Sequence, residues 1–390
     1  MLNAEKPATP LRVAFVSFGS FELSVRLASA LSRHATVQLS LPGAQTQPFL
    51  RWLDPAVDYR PFDLARLRQP LRQCATIIRL WRQLRAFRPD VIHFQKWHLW
   101  FFLALPLFRK FPLVISVHDP IAHLGDADSQ RTPHWVVALG YRAADWVIVH
   151  NHAMVEEATR LHHIDRSRID VVPLVERGDG TLRPDVLERP EEVLFFGRIW
   201  AYKGLEYLID AAPMVAESVP GVRFVIAGKG DEIDPYVRMM EHPERFEIIN
   251  RFVEENEQAE LFRRAAVVVL PYVEATQSGV IPVAASFGKA VVATAVGGIP
   301  EQVDNGRTGL LVPPRDPRAL ADAITTLLLD PVRRRSIGEA ARKKAQNEWS
   351  ADAVARRTVD VYRRVLAEIA PSKAPPGEED VARKVIPLPP

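Results

Sequence analysis

Two cations stand five residues apart in the segment FFGRIWAYKG, residues 195–204: Arg198 and Lys203. An apolar run ends at Gly197, and a helical pattern (205–212) opens directly after Gly204. Fixed positive charge beside the amides of a helix N-terminus is what a departing diphosphate needs, because negative charge grows on it as its bond breaks. A plain strand-to-helix turn with two solvated cations would use the same residue types. The segment AGKGD, 227–231, also follows a strand-like run. Its Gly228 and Gly230, around Lys229, let a backbone come close to a flat ligand, although turns use such glycines constantly. In PYVEATQSGVIP, 271–282, Thr276, Gln277, Ser278 and Gly279 precede a helical stretch whose amides would face an anion.

A different chemistry is suggested between Asp63 and Asp90, where seven arginines occur with no acid among them. They are Arg66, Arg68, Arg72, Arg79, Arg82, Arg85 and Arg88, interleaved with Leu64, Leu67, Leu71, Ile78, Leu80, Trp81, Leu84 and Phe87. The pattern predicts a basic amphipathic helix or a pair of them. With the apolar run at 97–108 it suits contact with anionic lipid. A solvated arginine face over a buried leucine face explains it equally well.

These segments need scaffolding, and the rest of the chain supplies it. Short β-branched runs at 11–17, 36–41, 91–94, 113–117, 146–149 and 170–173 alternate with helical patterns, beginning with 21–33. That alternation predicts a parallel sheet covered by helices. A polar stretch with Gly and Pro, 175–190, reads as a linker. A second series of strands follows at 192–196, 223–227, 246–250, 266–270 and 290–293, with helices at 317–329, 332–349 and 351–369. The expected organisation is α/β: an N-terminal Rossmann-like domain over 1–174, a linker over 175–190, and a second over 191–350. A C-terminal helix over 351–370 and a disordered tail over 371–390 complete it. Ligands in doubly wound sheets lie beyond the carboxyl ends of the strands, where the cations and glycines fall.

A chain of 390 residues with 47% hydrophobic and 25% charged residues has room for two such cores. A net charge of +3 gives no case for a nucleic-acid partner. The single cysteine, Cys74, excludes an intramolecular disulfide framework, and residues 1–10 hold no apolar leader. Both observations point to a cytoplasmic location, peripheral at a membrane if the arginine stretch meets lipid.

Taken in order, FFGRIWAYKG, IAGKGDE, LPYVEATQSGVIP, GKAVVATAVGGIPE and NGRTGLLVPP closely resemble the motifs of the retaining nucleotide-sugar glycosyltransferases of family 4, with the GT-B fold. VHDP (117–120), HNHAMVEEA (150–158) and VVPL (171–174) extend the likeness more faintly through the first half. The resemblance implies two Rossmann-like domains facing across a cleft. It implies that Arg198 and Lys203 bind the donor diphosphate, and that amides around Gln277, Ser278, Gly279 and Val280 cap its distal part. Gly197, Gly228, Lys229 and Gly230, with the strand end at Phe252 and Val253, should border the nucleotide. His118 should sit across the cleft near the transferred sugar.

The sequence departs from the pattern where the family carries two glutamates eight positions apart; Ala275 and Val283 stand there. Glu274 lies one residue early as a substitute for the first, and Glu301 is the acid nearest to replacing the second. The family's Gly-rich first loop is reduced to Phe18, Gly19 and Ser20. Asp126-Ala127-Asp128 resembles the metal site of another glycosyltransferase fold, but in a polar loop rather than at a strand end. The cations take over the charge role of a metal, so none is required as cofactor. The implied activity is transfer of a sugar from a nucleoside diphosphate sugar to a hydroxyl acceptor, lipid-linked if the arginine stretch meets a membrane, with retention of configuration. The missing glutamates also suit a non-catalytic nucleotide-sugar-binding subunit.

Overall fold

The apolar runs become strands with helices between them, in a computed structural model that describes residues 10–96, 98–118, 134–176, 181, 183–230 and 232–373. The first seven strands are β1 (Arg12–Val16), β2 (Thr36–Ser40), β3 (Asp58–Tyr59), β4 (Val91–Phe94), β5 (Leu113–Ser116), β6 (Trp146–Val149) and β7 (Ile169–Val171). They form one parallel sheet in the order β3-β2-β1-β4-β5-β6-β7. The next six are β8 (Glu192–Phe196), β9 (Arg223–Ala227), β10 (Phe246–Ile249), β11 (Val267–Leu270), β12 (Ala290–Thr294) and β13 (Leu310–Val312). They form a second parallel sheet in the order β10-β9-β8-β11-β12-β13. In each sheet the strand order reverses beside its first strand. The loops after β1 and β4, and those after β8 and β11, therefore diverge and leave a crevice between them.

The strand expected at 170–173 runs over Ile169–Val171, starting one residue earlier and ending two earlier, before Pro173, which has no amide to give to the ladder. Strand β3 has only Asp58 and Tyr59, too short and polar to show in the pattern. The arginine stretch makes one helix, Pro70–Phe87, rather than two. Its Gln73, Ile77, Leu80, Leu84 and Phe87 are buried, while all seven arginines are exposed. Among the described residues no helix is long and apolar enough to cross a membrane.

The helix Ala351–Lys373 runs through the first three residues of the expected tail; residues 374–390 lie outside the described residues. It follows the second sheet in the chain yet packs on the first, where Val354, Val359, Tyr362 and Val365 share a core with Val13, Phe15 and Val37. The Tyr362 hydroxyl bonds His93 Nδ1 at 2.6 Å, and His93 Nε2 meets Ser116 Oγ at 2.8 Å. Burial pushes the His93 pKa down to about 3, so the imidazole is a neutral polar pin for the helix. The Glu176 amide donates to the Trp349 carbonyl at 2.9 Å, so the two passages of the chain between the sheets run side by side.

Candidate active site

The turns after β8 and β9 are laced together by their backbones. Gly197 N–H donates to the Ala227 carbonyl at 2.9 Å, and Ile199 N–H to the Lys229 carbonyl at 3.3 Å. Gly197 has φ +125° and Gly228 φ +144°, conformations that side chains resist. A Cβ at Gly228 would lie 1.9 Å from the Gly197 carbonyl oxygen, and one at Gly230 2.2 Å from that of Ile199. The glycines were expected to admit a ligand; what closes on them is the neighbouring turn.

That lacing positions the cations. Arg198 is exposed, its guanidinium 3.7 Å from the centre of the Trp200 ring. The turn then folds as the short 3-10 helix Ala201–Lys203 and leaves Lys203 only 9% exposed. Its Nζ lies 3.6 Å from the centre of the Tyr272 ring and 4.9 Å from that of Tyr202. Burial raises the Tyr272 pKa, so its ring faces the ammonium as a neutral π-donor. Gly204, at φ +64°, brings this turn against the loop after β11, where a Cβ would sit 2.1 Å from the Pro271 carbonyl oxygen. The cations and the 271–279 loop thus meet at the switch point between β8 and β11, as their place after these strands predicts.

Within that loop, the Gln302 side chain bonds the backbone of one residue at both its N–H and its C=O. Ser278 N–H donates to Gln302 Oε1 at 2.8 Å, and Gln302 Nε2 donates to the Ser278 carbonyl at 2.9 Å. Val280 N–H donates to Ser278 Oγ at 3.2 Å. Two of the four amides expected to cap a donor, those of Ser278 and Val280, are therefore committed inside the protein. Gly279 is exposed, and a Cβ there would meet nothing within 4 Å.

Ala275 and Val283 are buried in the apolar core, so no acid stands at either position, and Glu274 is exposed on the loop. Glu301, expected to border the donor, is engaged across the cleft. Its carboxylate accepts from the amides of His152 at 2.7 Å and Ala153 at 2.9 Å, at the N-terminus of the helix His152–His162 beneath the other sheet. A carboxylate is favoured there by the helix dipole and the otherwise unpaired amides. Phe252 is 75% exposed and lines a cavity of about 650 Å³ with Arg251, Glu254 and Glu257, while Val253 is buried.

On the first sheet, Gly19 follows β1 and packs under the stem of Lys96, a cation after β4 that sequence reasoning passed over. His118 follows β5, and its Nε2 lies 2.8 Å from the Gln95 carbonyl oxygen. The same Nε2 also lies 3.2 Å from Gln95 Nε2. The His118 carbonyl in turn accepts from Gln277 Nε2 at 3.3 Å, a hydrogen bond across the cleft. The structure therefore brings His118 to the loop that carries Gln277. Tyr272 and Asn151, inside the segments PYVEATQSGVIP and HNHAMVEEA, and Gln302, outside any motif, are further residues of this region to which sequence reasoning assigned no role. The Asp126-Ala127-Asp128 segment and Asp231 lie outside the described residues.

Residues 24–174 match the family described as glycosyl transferase 4-like domain, and residues 190–330 match glycosyl transferases group 1. The glycogen synthase of Mycobacterium tuberculosis is 30% identical over 293 residues, 71% of this chain and 69% of that protein. The D-inositol 3-phosphate glycosyltransferase of Kribbella flavida is 30% identical over 314 residues, 72% of each. Among solved structures, a glycosyltransferase from Rickettsia africae superposes with a TM-score of 0.72 at 15% identity, covering 91% of this chain and 99% of that one. Anabaena HepE in complex with UDP gives 0.70 at 17% identity, covering 91% and 100%. These likenesses show the GT-B fold.

Proposed function

The chain belongs to the group 1 glycosyl transferases and is a glycosyltransferase, and from that premise we propose that it takes its sugar from a nucleoside diphosphate donor and transfers it to a hydroxyl with retention of configuration. The observation that carries the proposal is the pair Arg198 and Lys203 on one backbone-laced turn at the switch point, with Lys203 nearly buried. A cation in a water-poor seat stabilises developing diphosphate charge far more than one in bulk water. Retention on this route makes and breaks bonds on one face of the sugar; the leaving diphosphate takes the electron pair of the glycosidic bond, and its oxygen receives the proton that the acceptor hydroxyl gives up as the new bond forms. A solved neighbour of this fold holds UDP, which further supports a nucleotide donor.

Thermal unfolding with UDP, GDP, ADP and dTDP, with and without divalent metal, tests this. One nucleotide is expected to raise the midpoint without metal, and Arg198→Ala to erase the rise; a nucleotide present at about 100 times its Kd stabilises by roughly 2.7 kcal/mol. No shift with any of the four would count against the donor site.

We also propose that the acceptor is lipid-linked and that the basic helix Pro70–Phe87 lies against anionic membrane. Exposed Leu71 and Ile78 among exposed arginines on that helix support this. Binding to phosphatidylglycerol vesicles is expected to fall with added salt and to be absent on phosphatidylcholine. Each arginine at such a surface contributes about 1 kcal/mol, so replacing Arg72, Arg79 and Arg82 by Gln should weaken binding about 100-fold. Equal binding to both vesicle types would remove this part of the proposal.

A further inference from the structure

The loop that carries Thr276 to Val280 is held from two directions, and one hold comes from the opposite domain. Asn151 follows β6 of the first sheet and is 3% exposed. Its Oδ1 accepts from Met154 N–H at 2.9 Å, capping the helix His152–His162, and its Nδ2 donates to the Thr276 carbonyl at 2.7 Å. The amide orientation follows from its partners, since an N–H requires an acceptor and a carbonyl a donor. The second strap is Gln302 on the backbone N–H and C=O of Ser278, and the neighbouring Glu301 grips the same helix N-terminus that Asn151 caps.

Gly298 has been kept open for this junction. A Cβ there would lie 2.3 Å from the Thr276 carbonyl oxygen and 2.4 Å from Asn151 Nδ2. Gly297 beside it, at φ +50°, is closed in by the Ala275 carbonyl oxygen, 1.6 Å from its Cβ position. Two consecutive glycines let the loop pass between its own domain and the tip of Asn151.

We infer that Asn151 is a positioning residue for the transfer reaction: from the acceptor-side domain it sets the carbonyl of Thr276 and so the conformation of the loop facing the donor. The loop is complete only while the domains are together, which couples donor engagement to closure. The inference rests on the donor-site reading for its effect on catalysis, but the hold on the loop is testable without it.

Asn151→Asp separates capping from positioning. Aspartate caps a helix as well as asparagine does but has no N–H for Thr276 and sets a negative charge against its carbonyl. Gly298→Ala disturbs the same junction sterically. Hydrogen–deuterium exchange of peptides spanning 274–280 is expected to quicken in both variants, while exchange in 152–162 stays as in wild type for Asn151→Asp. Nucleotide affinity across the UDP, GDP, ADP and dTDP panel and the donor KM should weaken about fivefold or more, the worth of one well-made hydrogen bond, with acceptor KM unchanged. Unchanged loop exchange in Asn151→Asp overturns the inference, as does a loosened loop with unchanged nucleotide affinity. If the wild type binds none of the four nucleotides, the donor-site reading falls, and the exchange result still decides whether Asn151 holds the loop.

Discussion

Lys203→Ala is expected to lower turnover by about 10²–10³-fold, the loss seen when one preorganised stabiliser of developing charge is removed. The effect is large because the ammonium is fixed before substrate arrives: Tyr272 and Tyr202 lie under it, and the Gly204 turn closes behind it. Losing the cation–π contacts costs about 1–2 kcal/mol of stability, too little to unfold a chain of this size. Circular dichroism should therefore match wild type while transfer at saturating donor collapses. Lys203→Arg is not expected to rescue it, because a planar guanidinium does not fit a seat shaped for a compact ammonium. Turnover within threefold of wild type would move the leaving-group role away from Lys203.

Gly228→Ala should have the largest effect on stability. The new methyl would meet the Gly197 carbonyl oxygen at 1.9 Å, and φ +144° is a conformation alanine resists. Backbone strain of about 1–3 kcal/mol adds to an overpacking cost of about 1–3 kcal/mol, enough to lower the denaturant midpoint severely. The displaced turn also carries Arg198, so activity should fall with it. Gly279→Ala is the control, since a methyl there meets nothing within 4 Å and the residue has φ −74°. Its stability should stay within about 0.5 kcal/mol of wild type. Equal midpoints for the two variants would mean that the laced turns yield easily.

Both parallel sheets could be read from the chain because buried parallel strands are continuous apolar runs, such as Val267 to Leu270, bounded by turn residues. The cations were legible because Arg198 and Lys203 follow such a run directly. What stayed hidden depends on placement in space. Asn151 and Thr276 are 125 residues apart and meet only once the domains are set against each other. The bonds between Glu301 and a helix N-terminus of the other domain were hidden in the same way, because proximity in sequence to the loop does not show them. The last helix was visible, but the pattern gave no sign of which sheet it covers. A polar pair such as Asp58 and Tyr59 becomes a strand only because β2 is there to bond it.

The return of the last helix to the first sheet also sets an order of assembly during synthesis. The first sheet is complete in sequence at Val171, but the residues that seal one of its faces begin at Val354. At roughly 5–20 residues per second, about 180 intervening residues leave that face covered only in part, by the helix Phe21–Leu31, for roughly 10–40 s while the later domain folds. The half made first is thus the half finished last. A nascent chain paused before Tyr362 would present an apolar groove over Val13, Phe15 and Val37, with His93 at its floor awaiting its phenol.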